Sequence, residues 1–367
     1  MRRFAFLILL LAACRRTAPP PPAATPLRLG LITGVSGPTA AWGDAIRRGA
    51  QMAVDEHNAK RRATKIELVV LDDQGKPEES ALAAERLIHS DGVAAIIGCD
   101  TTGRSLAVSP ICERAQIAMI SPTASGPALT VGKRFTFRVC ATDDNEAVAV
   151  ARLVLERLHA KRVAILRDTK NDYAVGMAET FTRELTRGGG TVVASHDYSE
   201  GDSDFRAQLT AVKTAEPDVL FVPGYYSDVA QIAAQARDLD IAIPLVGGSG
   251  WDSPKLVEIG GNALEGCWFA SGMRSASPRF VDAFRKRYGT EPDAASAQAY
   301  DAAMIACNAI VKARGNRGAV RQAIATTTEF HGASGKITIG PDGNARKPLA
   351  VYRIEGGTFV EMESIAP

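Results

Sequence analysis

The chain has little of what marks an enzyme. Its 367 residues include only five histidines, His57, His89, His159, His196 and His331, spread over helices and segment edges. None stands beside a serine or cysteine as the base of a nucleophile. No Gly-x-Ser-x-Gly elbow, His-Glu-x-x-His pair, Gly-x-Gly-x-x-Gly fingerprint or Walker lysine occurs, which removes the commonest hydrolase, metalloprotease and nucleotide-binding patterns. The adjacent acids Asp72-Asp73 and Asp143-Asp144 read as caps, turns or hinge contacts rather than acid–base machinery. An excess of one charge is missing too. Lys and Arg number 43 against 41 Asp and Glu, and removing Arg2 and Arg3 takes the formal +2 to zero. A nucleic-acid partner needs a basic field and is not expected. Cysteine is sparse. Besides Cys14 there are Cys99, Cys112, Cys140, Cys267 and Cys307, an odd number with no close pair. They read mostly as small buried side chains, with no metal or redox site, and no cofactor is implied. Beyond the first residues no apolar run approaches the roughly 20 residues of a membrane span, so the body reads as soluble.

The first residues differ. Met1-Arg2-Arg3 precedes the apolar run Phe4 to Leu11 and then Ala12-Ala13-Cys14. A basic start, a short apolar core and small residues before a cut make a secretory signal over 1–13. Cleavage before Cys14 leaves an N-terminal cysteine, an arrangement that resembles the lipobox of bacterial lipoproteins, so Cys14 is the expected lipidation site and membrane anchor. Residues 14–26 continue as a proline-rich tether that holds a folded body off the membrane. Localisation is therefore expected in the periplasm or at the cell surface. Arg15 stands where an aspartate would resemble an inner-membrane retention signal, which leans toward the outer membrane in a two-membraned host.

From Leu27 onward about 340 residues remain, more than one hydrophobic core usually holds. Apolar strands alternate with amphipathic helices. Strands are expected at Leu27–Val35, Ile66–Leu71, Val93–Gly98 and Ile117–Ser121, with helices at Asp44–Ala59, Pro77–Ser90 and Ser105–Arg114 between them. The pattern restarts with helix Asp143–Leu158. Strands Val163–Leu166, Thr191–Ser195, Val219–Val222 and Ile243–Val246 then alternate with helices Ala174–Arg187, Phe205–Thr214 and Val229–Leu239. Helices at Pro278–Tyr288 and Ser296–Ala313 follow, then short antiparallel strands at Lys336–Ile339 and Leu349–Glu355. The fold class is α/β, with two doubly wound parallel-sheet lobes. Ligands in such sheets bind beyond the carboxyl ends of the strands, so two facing lobes imply a shared cleft.

The strand-end loops carry the candidate contacts. In Gly34-Val35-Ser36-Gly37-Pro38-Thr39-Ala40-Ala41-Trp42, Trp42 is a large aromatic in a polar loop and a candidate ligand wall. In Cys99-Asp100-Thr101-Thr102-Gly103, Thr101 or Thr102 offers a hydroxyl at a helix start, suited to a carboxylate or, equally, to a helix cap. Thr123 and Ser125 in Ser121-Pro122-Thr123-Ala124-Ser125 add donors or acceptors. The second half matches them with Tyr173, Tyr225 and the run Gly247-Gly248-Ser249-Gly250-Trp251. A tyrosine joins an apolar face to a hydroxyl, which suits a small amphipathic solute.

These segments, in order, resemble one family. LGLITGVSGPTAAWGDAIRRGAQMAVDEHNA, VVLDDQGKPEESALAAERLI, AAIIGCDTTG, ISPTASGP, DTKNDYAVG, GDSDF, FVPGYYSDVAQIAAQARDL and GGSGWDSPKL are similar to the leucine/isoleucine/valine-binding proteins, the substrate-binding components of ABC importers. The resemblance implies the type I periplasmic-binding-protein fold with a three-crossover hinge near Cys140–Thr142, Ser271–Met273 and Arg346–Leu349. One lobe would hold 27–141 with 273–346, the other 142–272 with 347–367. It implies a monomer that captures a small, carboxylate-bearing solute for an ABC permease, without turnover. A ligand sensor of the same fold, binding an amide, urea or aromatic acid, is the alternative. By position, Trp42 would line the cleft, Thr102 would bind the ligand carboxylate with Thr123 and Ser125, and Tyr173 and Tyr225 would close over it. Ser249 stands where relatives often carry an acid for the ligand's ammonium, and Asp100 or Asp252 are the candidate substitutes. Gly75 and Thr101 occupy the places of a cysteine pair found in some relatives.

Overall fold

The computed structural model describes residues 26–60, 64–199, 201–272 and 277–365. The expected signal, the Cys14 anchor, nearly all of the tether and Met273 of the second crossover lie outside them.

Five parallel strands make the first sheet: β1 (Leu27–Thr33), β2 (Ile66–Asp72), β3 (Ala95–Ile97), β4 (Ala118–Ser121) and β5 (Thr136–Arg138), in spatial order β2-β1-β3-β4-β5. Their period-2 alternation decides which helix covers which face. Leu29, Leu31, Ala95, Ile97, Ala118 and Ile120 share a core with α1 (Ala40–Lys60). The intervening Ile32, Ile96 and Met119 pack with α2 (Pro77–His89) and α3 (Thr102–Ala115) on the other face. Both faces are buried, which is why these strands read as unbroken apolar runs.

The chain then passes to α4 (Asp143–Arg152), which continues as one wider turn over Leu153–Arg157. The second sheet starts with β6 (Arg162–Asp168), β7 (Thr191–Tyr198), β8 (Val219–Phe221), β9 (Leu245–Gly247) and β10 (Trp268–Gly272). Here α5 (Asp172–Arg187) joins α4 on one face, with Val163, Ile165, Phe221 and Val246. Ala164, Leu166, Leu220 and Leu245 face α6 (Arg206–Thr214) and α7 (Tyr226–Asp238). A short α8 (Pro254–Gly260) precedes β10.

After β10 the chain returns to the first sheet, where α9 (Pro278–Tyr288), α10 (Ala294–Lys312) and α11 (Arg317–Ala325) follow. A Cβ placed on Gly49 of α1 would stand 2.1 Å from the Ser296 carbonyl oxygen in the first turn of α10. The bare glycine is what lets the two helices close on each other. A small sheet of β11 (Phe330–Gly332), β12 (Gly335–Ile339) and β13 (Ala345–Arg346) comes next. Then β14 (Leu349–Glu355) and β15 (Thr358–Ile365) complete the second sheet in the order β15-β14-β10-β9-β8-β6-β7, with β14 antiparallel to β10 and β15.

Several elements differ from the sequence reading. The tail strands do not pair with each other: Gly340 to Gly343 turns β12 onto β13, while β14 joins β10. β5, β10, β11, β13, β15, α8 and α11 were not expected. β10 ends in Ala270-Ser271-Gly272, too small to read as a strand. Both α1 and α3 begin before their expected starts, so Trp42 and Thr102 sit in first helical turns rather than in loops.

Candidate ligand-binding cleft

A cavity of about 550 Å³, counting its mouth, opens between the two sheets. Of the nine residues picked from sequence, eight line it: Trp42, Thr101, Thr102, Thr123, Ser125, Tyr173, Tyr225 and Ser249. Cys140, Ala141, Ser271 and Gly272, where the chain crosses between the sheets, line it too.

The first lobe supplies hydroxyls and backbone donors. Thr101 precedes α3, but its hydroxyl accepts from Arg104 Nε at 2.8 Å instead of capping the helix. Thr102 Oγ1 accepts from Gly126 N at 3.1 Å, leaving its proton to donate. Thr123 Oγ1 donates to the Asp100 carbonyl at 2.7 Å, which ties the loop after β4 to the loop after β3. Behind them lies a closed charge cluster. Arg104, 3% exposed, donates to Asp73 Oδ1 at 2.8 Å and Thr39 Oγ1 at 2.7 Å, and pairs with Asp100 Oδ2 at 2.8 Å. Burial works against the guanidinium's charge, but Asp100 and Asp73 outweigh it and hold Arg104 above its ordinary pKa.

The second lobe supplies aromatics. Asn171 caps α5 by accepting from Tyr173 N at 3.0 Å, fixing Tyr173 in the first turn. The Tyr173 hydroxyl accepts from Gly250 N at 3.2 Å, and its ring stacks on Tyr225 with centroids 5.6 Å apart. Trp42 reaches across from α1, edge-on to Tyr225 at 5.3 Å and to Tyr226 at 5.1 Å. Its indole Nε1 donates to the Asp252 carbonyl at 3.0 Å, and Tyr226 donates to the Pro38 carbonyl at 3.0 Å. Both bonds join the lobes, so the cleft is closed. Trp42→Phe keeps the aromatic contacts and removes the first bond. Ligand binding, measured by calorimetry, is expected to weaken about 3- to 10-fold, the range of one net hydrogen bond.

Trp251 is not in the cavity, contrary to the sequence reading. It is fully buried in the second lobe, donates from Nε1 to the Val222 carbonyl at 3.0 Å and packs near Phe269. Gly247 explains this: its absent Cβ would lie 2.2 Å from the indole ring, so the tryptophan folds under its own loop.

Of the residues missed from sequence, Glu146 stands out. It projects from the first turns of α4, is 2% exposed and lines the cavity. Its Oε2 accepts from Ser249 N at 3.0 Å. Gly248 makes the room, since a Cβ there would meet the Tyr173 hydroxyl at 2.5 Å and Glu146 Oε2 at 3.1 Å. Burial, aided by the negative charge of Asp143, pushes the Glu146 carboxyl up to about 8. Burial likewise pushes Asp143 up to about 7, against the hydroxyl of Ser125 and the charge of Arg138. The sequence signal was the i,i+3 pair Asp143 and Glu146 just after the first crossover, which shares a helix face. The two substitutes named from sequence are both engaged: Asp100 with Arg104, and Asp252 Oδ2 with the Ser271 hydroxyl at 2.9 Å. Among the described residues no lysine, arginine or histidine lines the cavity. All five described cysteines are buried and free.

Two α/β lobes closed on a small cavity agree with what comparison finds. The family model of the periplasmic binding proteins matches residues 26–358. The Leu/Ile/Val-binding protein BraC3 of Rhizobium johnstonii is 33% identical over 93% of this chain and 95% of its own length. The crystal structure of the leucine-binding protein LivK of Thermotoga maritima superposes with a TM-score of 0.89 at 35% identity, covering 93% of this chain and 99% of that one. LivJ of Streptococcus pneumoniae, solved with isoleucine, gives 0.89 at 31% identity, covering 94% and 100%. The chain therefore belongs to the Leu/Ile/Val-binding protein family, extracytoplasmic proteins that hold a small solute for an ABC importer and catalyse no reaction.

Proposed function

We propose that the solute is an α-amino acid, held by its carboxylate in the first lobe and covered by aromatics from the second. The observation that carries this is the Thr102 hydroxyl at the start of α3, joined by the backbone of Thr123 and the Ser125 hydroxyl in the loop after β4, facing the stacked Tyr173 and Tyr225 across one closed cavity. Helix N-termini and hydroxyls stabilise a carboxylate without a buried cation. The aromatic faces take an apolar side chain. Residues 27–141 with 273–346 and 142–272 with 347–367 are the two lobes that close on it, moving about the three crossovers. The protein works as a monomer anchored through an acylated Cys14, on the outer membrane where the host has two. Radiolabelled-palmitate incorporation lost in a Cys14→Ala variant tests the anchor.

Calorimetric titration with each of the twenty common L-amino acids, and with benzoate as an aromatic acid, tests the solute. Tight binding of one or more amino acids supports the reading; binding of benzoate alone defeats it. Thr102→Ala removes a donor to a charged oxygen, and affinity for the bound amino acid is expected to fall about 10- to 100-fold.

A further inference from the structure

Glu146 is a buried acid of the cavity lining whose carboxyl takes its hydrogen bonds from Ser249 and meets no cation among the described residues. Asp100 is neutralised by Arg104, and Asp252 accepts from Ser271. Among the described residues only Ser249 supplies Glu146 with hydrogen bonds, although a carboxylate accepts about four. Position 249 itself offers only a neutral hydroxyl. Yet its backbone N–H draws the Glu146 carboxylate to the same spot from another element, and Gly248 leaves the space for it. Among the described residues neither Arg138, which donates from Nη2 to the Gly126 carbonyl, nor Lys347, which donates to the Ser334 hydroxyl beside Asp301, is in the cavity lining. Among the described residues the lining holds Asp100, Glu146 and Asp252 and no cationic residue, which disfavours a ligand whose only charge is negative and favours one that brings its own positive charge.

We infer that Glu146, reaching in from α4, provides the counter-charge for the ligand's ammonium and thereby makes the cleft select zwitterionic amino acids over carboxylic acids that lack an amine. This rests on the amino-acid reading above. Within the cleft Glu146 faces Asp143 on its own helix, Tyr173 on α5, Asp252 beyond the turn at Ser249, and Cys140 on the first crossover. Burial and these negative neighbours keep it protonated at neutral pH. An incoming ammonium favours the ionised form, so capture expels the proton to solvent and forms one ion pair. The sign follows from linkage: binding releases a proton, so affinity rises with pH up to about 8. In the empty protein the sign is opposite. The folded carboxyl holds a proton that the unfolded one releases, so its contribution to stability is present below the ordinary glutamate range and is lost as pH rises toward about 8.

The test is Glu146→Gln in the full folded chain. Its probes are L-leucine and L-alanine, each paired with its 2-hydroxy acid, 2-hydroxy-4-methylpentanoate and lactate. Titrations run from pH 6 to 8.5 in buffers of different ionisation enthalpy. The wild type is expected to prefer each amino acid to its hydroxy partner about 100-fold or more, and to release close to one proton per ligand at pH 7. Glu146→Gln should lose roughly 30- to 1,000-fold in amino-acid affinity. It should leave the hydroxy acids unchanged or better bound, flatten the pH dependence, and melt no lower than wild type at pH 8. Amino-acid affinity within about threefold of wild type, or hydroxy acids weakened as much as amino acids, overturns the inference while leaving the amino-acid reading in place. A wild type that binds benzoate and none of the twenty amino acids overturns both.

Discussion

Arg104→Met is expected to lower the thermal midpoint by roughly 5–10 °C and to weaken ligand capture with it. The guanidinium sits between Asp73 and Asp100, whose side chains are wholly buried. Methionine approximates its volume but leaves two carboxylates without their cation. Breaking a buried ion pair from one side typically costs about 3–5 kcal/mol, mostly the penalty on the abandoned charge. The functional loss has a separate route. Arg104 also fixes the hydroxyls of Thr101 and Thr39, and the Asp100 carbonyl accepts from Thr123. Slackening the cluster therefore loosens both hydroxyl-bearing loops at once. Differential scanning fluorimetry reads the first effect and calorimetry the second. Adding Asp73→Asn and Asp100→Asn to the methionine variant removes the uncompensated charges and should recover part of the stability. No recovery would mean that the arginine acts through packing rather than charge.

Gly49 gives the second large effect, and its sign runs against helix propensity. In an exposed helix interior, glycine to alanine gains about 1 kcal/mol. At Gly49 the added carbon would meet the Ser296 carbonyl at 2.1 Å, within a turn already fixed by the capping box of Asp293 and Ser296. Neither side gives way cheaply, because both groups are backbone held in helices. Gly49→Ala is expected to destabilise by about 1–3 kcal/mol, and Gly49→Leu by about 4 kcal/mol, through separation of α1 from α10. Urea titration followed by circular dichroism measures both. A stabilised alanine variant would show that the helices can slide apart at little cost.

Most strands of the two sheets were legible because burial on both faces leaves a run such as Val93-Ala94-Ala95-Ile96-Ile97 with almost no alternative. The loops were legible because strand ends point to one edge of each sheet, so a hydroxyl or aromatic there is placed by topology alone. Glu146 was not, because it comes from a helix, and an acid in a first helical turn is usually a favourable dipole partner facing water. Only the tertiary approach of Ser249 and Gly248 turns it inward. Trp251 was misplaced for the converse reason. A tryptophan after two glycines looks the same in sequence whether it points into a cleft or beneath its loop, and the space left by Gly247 is a property of three dimensions. β10 went unread because Ser271 and Gly272 are small where the chain crosses at the cavity.

The bond from Trp42 to the Asp252 carbonyl gives the chain a built-in optical gauge. Three tryptophans are present in all. Trp251 is sealed within one lobe, and the guanidinium groups of Arg157 and Arg353 both pack on the Trp268 ring. Neither has a reason to sense the gap between the lobes. Trp42 would lose its indole partner and its tyrosine neighbours were that gap to open. If the lobes part, the emission spectrum of the unlabelled protein is expected to report it through this one side chain, with the other two as background.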